Sequence, residues 1–407
     1  MPVKLLPLFD SLDNIKDNDA HVCLSFDEFK DDYNQALIFL KSYTGSLGTF
    51  NAYRREVERF LHWSWLIKEQ SIIRHNYQAI EEYVHFCINP PKSWIGLKKV
   101  PRYKLQEGLR KPNPEWRPFV VTLSKAALKK GIEATREQFS LSQTAIKDIF
   151  AILSTFYNFL IAQEYVMANP VALIRQKSKF IRKNQGKKQI RRLSPEQWQQ
   201  VLTAAEQLAA TTPEKHERTL FMISALYGMY LRISELTVSE RWSPTMNDFY
   251  QDSNQCWWFQ TVGKGNKERQ IAVSDAMLES LKRWRHFLGL SGLPSSADNS
   301  PLLPKLKGQG GLSDTAPIRR IIQQCFDLAC ENLIRQGKTL EAETLTEATV
   351  HWLRHTGISD DVKIRPREHV RDDAGHSSSA TTDRYIDIEL TERHRSAQQK
   401  KIDNITD

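Results

Sequence analysis

Between Arg175 and Arg192 the chain carries nine lysines and arginines (Arg175, Lys177, Lys179, Arg182, Lys183, Lys187, Lys188, Arg191 and Arg192) and no acidic residue. A like-charge block this dense repels itself and reads as a segment awaiting a polyanion rather than as part of a core. At 407 residues the chain also exceeds the size at which one core stops growing. The block therefore reads as a basic linker, 176–192, between two domains that each bury their own apolar surface.

The first part reads as helical. Residues 1–25 form an N-terminal segment without periodicity, and a helical domain follows over 26–175. Thr49 is placed to cap a helix on which Tyr53, Val57, Phe60 and Leu61 face inward and Arg54, Arg55, Glu56 and Arg59 outward. The strongest pattern is TAIKDIFAILSTFYNFLIAQEYV, with Ile149, Ile152, Leu153, Phe156 and Phe159 as core, and Asn169-Pro170 ends it. An insertion at 88–119 mixes Trp94, Tyr103 and Trp116 with Lys98, Lys99, Arg102, Lys104, Arg110 and Lys111. That composition fits an arm gripping a phosphate backbone and, equally, a solvated arm packed on its own aromatics.

The second part opens at Leu193-Ser194-Pro195-Glu196, with Ser194 as a cap and Pro195 at the first helical position. In LYGMYLRISELTVSERW, Arg232 lies among apolar residues with Glu235 three positions on. Such an arginine is either in a buried ion pair or held rigidly to face an anion. CWWFQTV and KERQIAVS read as two strands of a hairpin that carries Lys264, Lys267 and Arg269. Helices follow at 275–287 and through APIRRIIQQCFDLACENLI, and a short polar stretch leads to Thr349. The domain runs to about 390, and 391–407 is a polar tail.

Five scattered cysteines show no close metal-ligand spacing, and Cys325 and Cys330 read as core. The expected setting is intracellular and reducing, that is, cytoplasmic. The N-terminus turns acidic too soon for a signal peptide, and no run of 18 apolar residues marks a membrane span. The net charge of +9 suits a polyanionic partner, although by itself it is a weak signal.

The remaining candidates cluster in HWLRHTGISDDVKIRPREHVRDDAGHSSSATTDRY, residues 351–385. His351, Arg354 and His355 stand at i, i+3 and i+4, so a helix sets them on one face. His376 and, nine residues on, Tyr385 complete a group suited to an anionic ligand and a tyrosine nucleophile.

In order and spacing, four blocks resemble the tyrosine recombinases of the phage integrase family. YLRISEL matches the first-arginine block with Arg232 and Glu235. VGKGNKERQIAV matches the hairpin block with Lys264. HWLRHTG matches the His-x-x-Arg-His block with His351, Arg354 and a structural neighbour, His355. GHSSSATTDRYI matches the last block with His376 and Tyr385. The match covers about 190–390, and the first domain resembles the family's helical core-binding domain more loosely. Two departures stand out: Asp373-Ala374, after Asp372, stand before Gly375-His376 where the family commonly has an apolar pair, and Trp352 and Gly357 flank the His-Arg-His block.

The resemblance implies a mainly α, two-domain fold. A helical N-terminal DNA-binding domain precedes a mostly helical catalytic domain with a small antiparallel β-sheet, the DNA breaking-rejoining fold. It implies cleavage and rejoining of DNA through a 3′-phosphotyrosine at Tyr385, without ATP, metal or other cofactor. Arg232, Lys264, His351, Arg354 and His376 form the catalytic set, and Glu235 and His355 support it. The basic linker would cross the backbone of double-stranded DNA at a recombination site. The protein would self-associate, as a tetramer on DNA, and a directionality factor is compatible with this. Relaxation of the type IB topoisomerase kind and a catalytically silent DNA-binding regulator are the competing readings.

Overall fold

The computed structural model describes residues 5–15, 27–43, 45–172, 174, 191–263, 267–376, 378–385 and the single positions 394, 397 and 398. Lys264, the linker cations from Arg175 to Lys188 and the tail expectation for neighbouring subunits lie outside the described residues, save those single tail positions. The chain divides into two compact units, Met1–Gln185 and Gly186–Asp407, each mainly helical with small sheets.

In the first unit the helices are α1 (Lys30–Lys41), α2 (Leu47–Leu66), α3 (Tyr77–Ile88), α4 (Lys125–Lys129) and α5 (Gln143–Ala162). The cap of α2 is Ser46 rather than Thr49: the extended Ser46 backbone lets its hydroxyl accept the Thr49 N–H, so Thr49 sits inside the first turn. By length and hydropathy α5 could cross a membrane. Here it is a core helix, with Ile149, Phe150, Leu153, Phe156 and Leu160 fully buried.

Glu56 and Arg59 of α2, expected to face outward, are buried. The 88–119 segment covers them. It contains β1 (Ile95–Gly96), the hairpin of β2 (Tyr103–Gln106) and β3 (Leu109–Pro112), and β4 (Phe119–Val120), which pairs in parallel with β1. Arg59 donates to Glu56 at 2.8 Å and to the Pro118 carbonyl at 2.9 Å, with its guanidinium 4.2 Å from the Phe119 ring centroid. Trp94, Tyr103 and Trp116 are buried, Arg102 pairs with Glu58, and Arg110 forks onto Asp10 with both contacts at 2.6 Å. Of the two readings of the insertion, packing on its aromatics describes these residues. Helix periodicity alone could not reveal a cover contributed by another segment.

The second unit begins with α6 (Pro195–Thr211), where Ser194 and Gln197 exchange a capping box and Pro195 starts the helix as read. Next come α7 (Pro213–Gly228) and an antiparallel sheet in the order β5 (Phe249–Gln251), β6 (Trp257–Gly263), β7 (Lys267–Ala272). The helices α8 (Asp275–Phe287), α9 (Thr315–Arg335), α10 (Thr339–Thr346), α11 (Val350–Asp361), α12 (Arg367–Ala374) and α13 (Ser379–Thr382) complete it. The polar sequence before Thr349 is thus largely helical. It was not legible as α10 because only Ala342 and Leu345 are buried there. Cys325 and Cys330 are core residues of α9, as expected.

Two features of this core position the pocket described next. Gly357 on α11 faces α7 so closely that a Cβ would run into the Tyr227 carbonyl and stand 3.2 Å from Tyr230 Cδ1. A glycine there lets the helix that carries Arg354 lie against the end of α7. Tyr230, just beyond α7, adopts a positive φ of 50°, which turns the chain toward Arg232.

Candidate active site

Arg354 is the most constrained residue of the group, 2% exposed on the buried face of α11. Its guanidinium donates to the Tyr230 carbonyl and, at 2.6 Å, to the Ala374 carbonyl. Burial, then the neighbouring charges of Arg232 and Arg269, lower its pKa. A guanidinium stays charged even so, and is here an oriented cation with its charge poorly offset.

Arg232 caps a short 3-10 turn, Ile233–Leu236. Its Nη1 lies 3.0 Å from Glu235 Oε1, and its own N–H donates to Glu235 Oε2 at 2.7 Å. Of the two alternatives for Arg232, the ion pair to a buried acid is present, and its side chain remains 29% exposed. Glu235 is 1% exposed. Burial pushes its carboxyl pKa up, but the hydrogen bonds and charge of Arg269, and then those of Arg232, outweigh that and hold it below the usual range.

The sequence marks Arg269 only as a hairpin cation. It forks onto both Glu235 oxygens at 2.7 Å each, and its Nε donates to the Asp373 carbonyl at 3.0 Å. Nothing local signals this, because the flanking Lys267 and Glu268 make the strand look solvated. The usable hint is the acid of LRISEL, whose oxygens need further hydrogen-bond donors beyond Arg232 once buried.

Gly375 ends α12 in the left-handed conformation (φ 63°, ψ 45°), and the next residue, His376, is delivered toward Arg354. His376 Nε2 lies 3.5 Å from Arg354 Nη2, and its Nδ1 lies 2.9 Å from the Thr382 hydroxyl. A ring accepting from the guanidinium at Nε2 donates from Nδ1 to Thr382. Burial, then Arg354, Arg232 and Arg269, push the His376 pKa down to about 4, so the ring is neutral near pH 7.

Tyr385 ends the turn Asp383–Tyr385 and is 6% exposed. Its hydroxyl is 2.6 Å from His355 Nδ1, and its ring stacks on His376 with centroids 5.6 Å apart. His355, read as a structural neighbour, is therefore in contact with the phenol itself. Burial, then His351, Arg354 and His376, push the His355 pKa down to about 3, leaving a neutral ring that can accept a hydrogen bond from the phenol. His351 stands at the exposed start of α11, its ring edge-on to His355 at 4.2 Å. Desolvation, then Arg354 and Arg232, lower its pKa as well.

Asp372 and Asp373 have different places. Asp372 is exposed and pairs with Arg371 at 2.7 Å. Asp373 is 5% exposed: one oxygen takes Arg365 at 2.6 Å and the other accepts the Ala272 N–H of β7 at 3.3 Å. Arg365 also donates to the Tyr230 hydroxyl at 2.9 Å. The acid that breaks the apolar pattern thus anchors α12 to β7 and to the residue whose carbonyl holds Arg354.

The structure brings together Arg232, Glu235, His351, Arg354, His355, His376 and Tyr385. Of the linker cations, Arg191 and Arg192 are described, and Arg192 lies 3.8 Å from Asp360. Among the described residues no group of three His, Cys, Asp or Glu side chains could hold a metal ion.

This geometry can be set beside known proteins. The model of the phage integrase family matches residues 191–392. A tyrosine recombinase XerC from Actinobacillus pleuropneumoniae serotype 7 (strain AP76) is 27% identical over 271 residues, which is 62% of this chain and 72% of that relative. Among solved structures, the XerH site-specific recombinase in a post-cleavage complex with a palindromic difH substrate is similar in fold. Its TM-score is 0.55 at 14% identity, covering 95% of this chain and 92% of that one. The pre-cleavage complex of XerH gives 0.53 at 14% identity, covering 95% and 90%. Through residues 191–392, the chain belongs to the phage integrase family of tyrosine recombinases.

Proposed function

We propose that this protein is a site-specific recombinase that cuts and rejoins double-stranded DNA through a covalent 3′-phosphotyrosine at Tyr385. The observation that carries the reading is the buried Tyr385 hydroxyl held on a neutral imidazole, beside a buried arginine with its charge poorly offset. A phosphodiester brings a negative charge to such a pocket, and attack by the phenol adds more to its non-bridging oxygens. Arg232 and Arg354 stabilise that charge with donors already oriented. His376 orients the Arg354 guanidinium through its Nε2, and His351 stands at the pocket's edge.

The negative charge of the bound phosphate offsets the cations that depress His355 and raises its basicity, and the phenol proton moves to His355 Nδ1 as the phenol oxygen bonds to phosphorus. The neighbouring cations make the phenolate accessible despite a free phenol pKa of about 10. The bond from phosphorus to the 5′ oxygen then breaks, and Lys264 protonates that oxygen. Attack by a partner strand's 5′-hydroxyl reverses these steps, so the bond energy is retained and no ATP is needed. Charge stabilisation comes from side chains, a task metals carry out in other enzymes. Exchange between two duplexes cut at two sites each calls for four such tyrosines, hence a tetramer on DNA. The basic segment, Arg175 to Arg192, contributes backbone contacts without sequence preference. The bound DNA named for the XerH structures supports a DNA substrate.

The test is Tyr385→Phe on a nicked suicide duplex recovered from covalently trapped DNA. DNA binding is expected to persist while the protein–DNA adduct disappears. An adduct formed by the Phe variant removes Tyr385 as nucleophile, and no adduct with the unmodified protein favours a catalytically silent regulator.

A further inference from the structure

Arg269 belongs to none of the roles above, yet it touches three parts of the pocket. Its side chain is 9% exposed on β7, opposite Thr261 of β6. Its forked pair fills one position on each Glu235 oxygen, while Arg232 fills another through Nη1 on Oε1 and its backbone N–H on Oε2. Its Nε holds the Asp373 carbonyl, two residues before Gly375. Two glycines make the room. A Cβ at Gly263 would stand 3.0 Å from Arg269 Nη1 and 3.3 Å from Arg232 Nη1, and one at Gly375 would stand 2.8 Å from Arg269 Cδ.

The charge count matters more than the contacts. Two guanidinium groups share one carboxylate, so the cluster keeps a surplus positive charge, and the more exposed guanidinium is that of Arg232. Without Arg269 the pair is neutral. Glu235 would then draw Arg232 inward to satisfy its own buried oxygens, and an incoming phosphate would meet little net charge from that pair, leaving Arg354 alone to receive it. We infer that Arg269 is a positioning residue for strand cleavage: it occupies Glu235 so that the charge of Arg232 remains available to the scissile phosphate, and it ties β7 to the turn before His376. The inference rests on the recombinase reading of Arg232.

Three variants test it: Arg269→Lys, Arg269→Met, and Arg269→Met combined with Glu235→Gln. Each is first checked for an unchanged melting profile. Each is then assayed on a suicide duplex, its sequence read from trapped DNA, with either the natural scissile phosphate or a neutral methylphosphonate. On the phosphodiester, Arg269→Met should slow adduct formation about a hundredfold, the scale on which small misplacements cost an active site, and Arg269→Lys should slow it less. On the methylphosphonate, which carries no non-bridging charge to neutralise, the penalty should shrink at least about tenfold. The double variant, which restores the surplus charge at Arg232, should cleave the phosphodiester faster than Arg269→Met alone. Equal penalties on both substrates, or no gain in the double variant, overturn the inference and identify a merely structural ion pair. The double variant also removes the buried acid that Arg269→Met leaves with fewer hydrogen-bond donors, so it remains informative if Arg269→Met fails to fold. Absence of any adduct with the unmodified protein instead removes the recombinase reading, and this inference with it.

Discussion

Replacing Gly375 with alanine isolates how much the pocket depends on one backbone turn. The residue lies at φ 63°, where an L side chain costs about 1–2 kcal/mol. Its new Cβ would also stand 2.8 Å from Arg269 Cδ and 3.3 Å from Nε. That side chain cannot swing aside freely, because its guanidinium is held by Glu235 and the Asp373 carbonyl. Overpacking of this kind adds about 1–3 kcal/mol, so the total is about 2–5 kcal/mol. Gly337 supplies the control: its φ is 75° with nothing within 4 Å of an added Cβ, so Gly337→Ala should cost only the backbone part, about 1–2 kcal/mol. Urea denaturation of both variants, followed by tryptophan fluorescence, measures the difference. Adduct formation should fall about a hundredfold in Gly375→Ala, because the Arg269 anchor and His376 shift together, and should be unchanged in Gly337→Ala. Equal destabilisation of the two variants with normal cleavage by Gly375→Ala would refute the reasoning.

Two further outcomes follow from the same pocket. Asp373→Ala removes the Arg365 partner and the acceptor of the Ala272 N–H, and should destabilise the second unit by about 1–3 kcal/mol, measured by urea denaturation. A neutral result would reduce Asp373 to a surface acid. Acid should also loosen the protein before its carboxylates titrate. His376, His62 and His75 have folded pKa values pushed down to about 4 and His355 to about 3, in each case first by burial, below the unfolded value of about 6.5. Stability is therefore full above pH 6.5 and declines as pH falls from there toward 4, as the unfolded chain takes up more protons. A flat urea midpoint from about pH 7 to pH 5 would contradict this assignment of buried, neutral histidines.

The parts legible in the sequence were those written locally. Ser194-Pro195 marked a helix start, WWFQTV and KERQIA formed a hairpin, and the spacing of His351, Arg354, His376 and Tyr385 announced a cationic pocket around a tyrosine. What escaped was tertiary. Arg269 and Glu235 are 34 residues apart, and no periodicity links a strand cation to an acid in a turn. Glu56 and Arg59 read as outward because the insertion that covers them begins some thirty residues later. The contact of His355 with the phenol depends on where the last turn folds back, which its position beside Arg354 does not reveal. Asp373 looked like a defect because its partner, Arg365, compensates it only in three dimensions.

The two carbonyls that hold Arg354 belong to Tyr230 and Ala374, 144 residues apart along the chain. During synthesis at about 5–20 residues per second, the first is made several seconds before the second. For most of that interval Arg354 itself is still to be made, and Tyr385 follows Ala374 in the chain. The pocket proposed for strand cleavage is therefore completed only when its last-made part arrives, and under that proposal a half-folded copy cannot cut DNA.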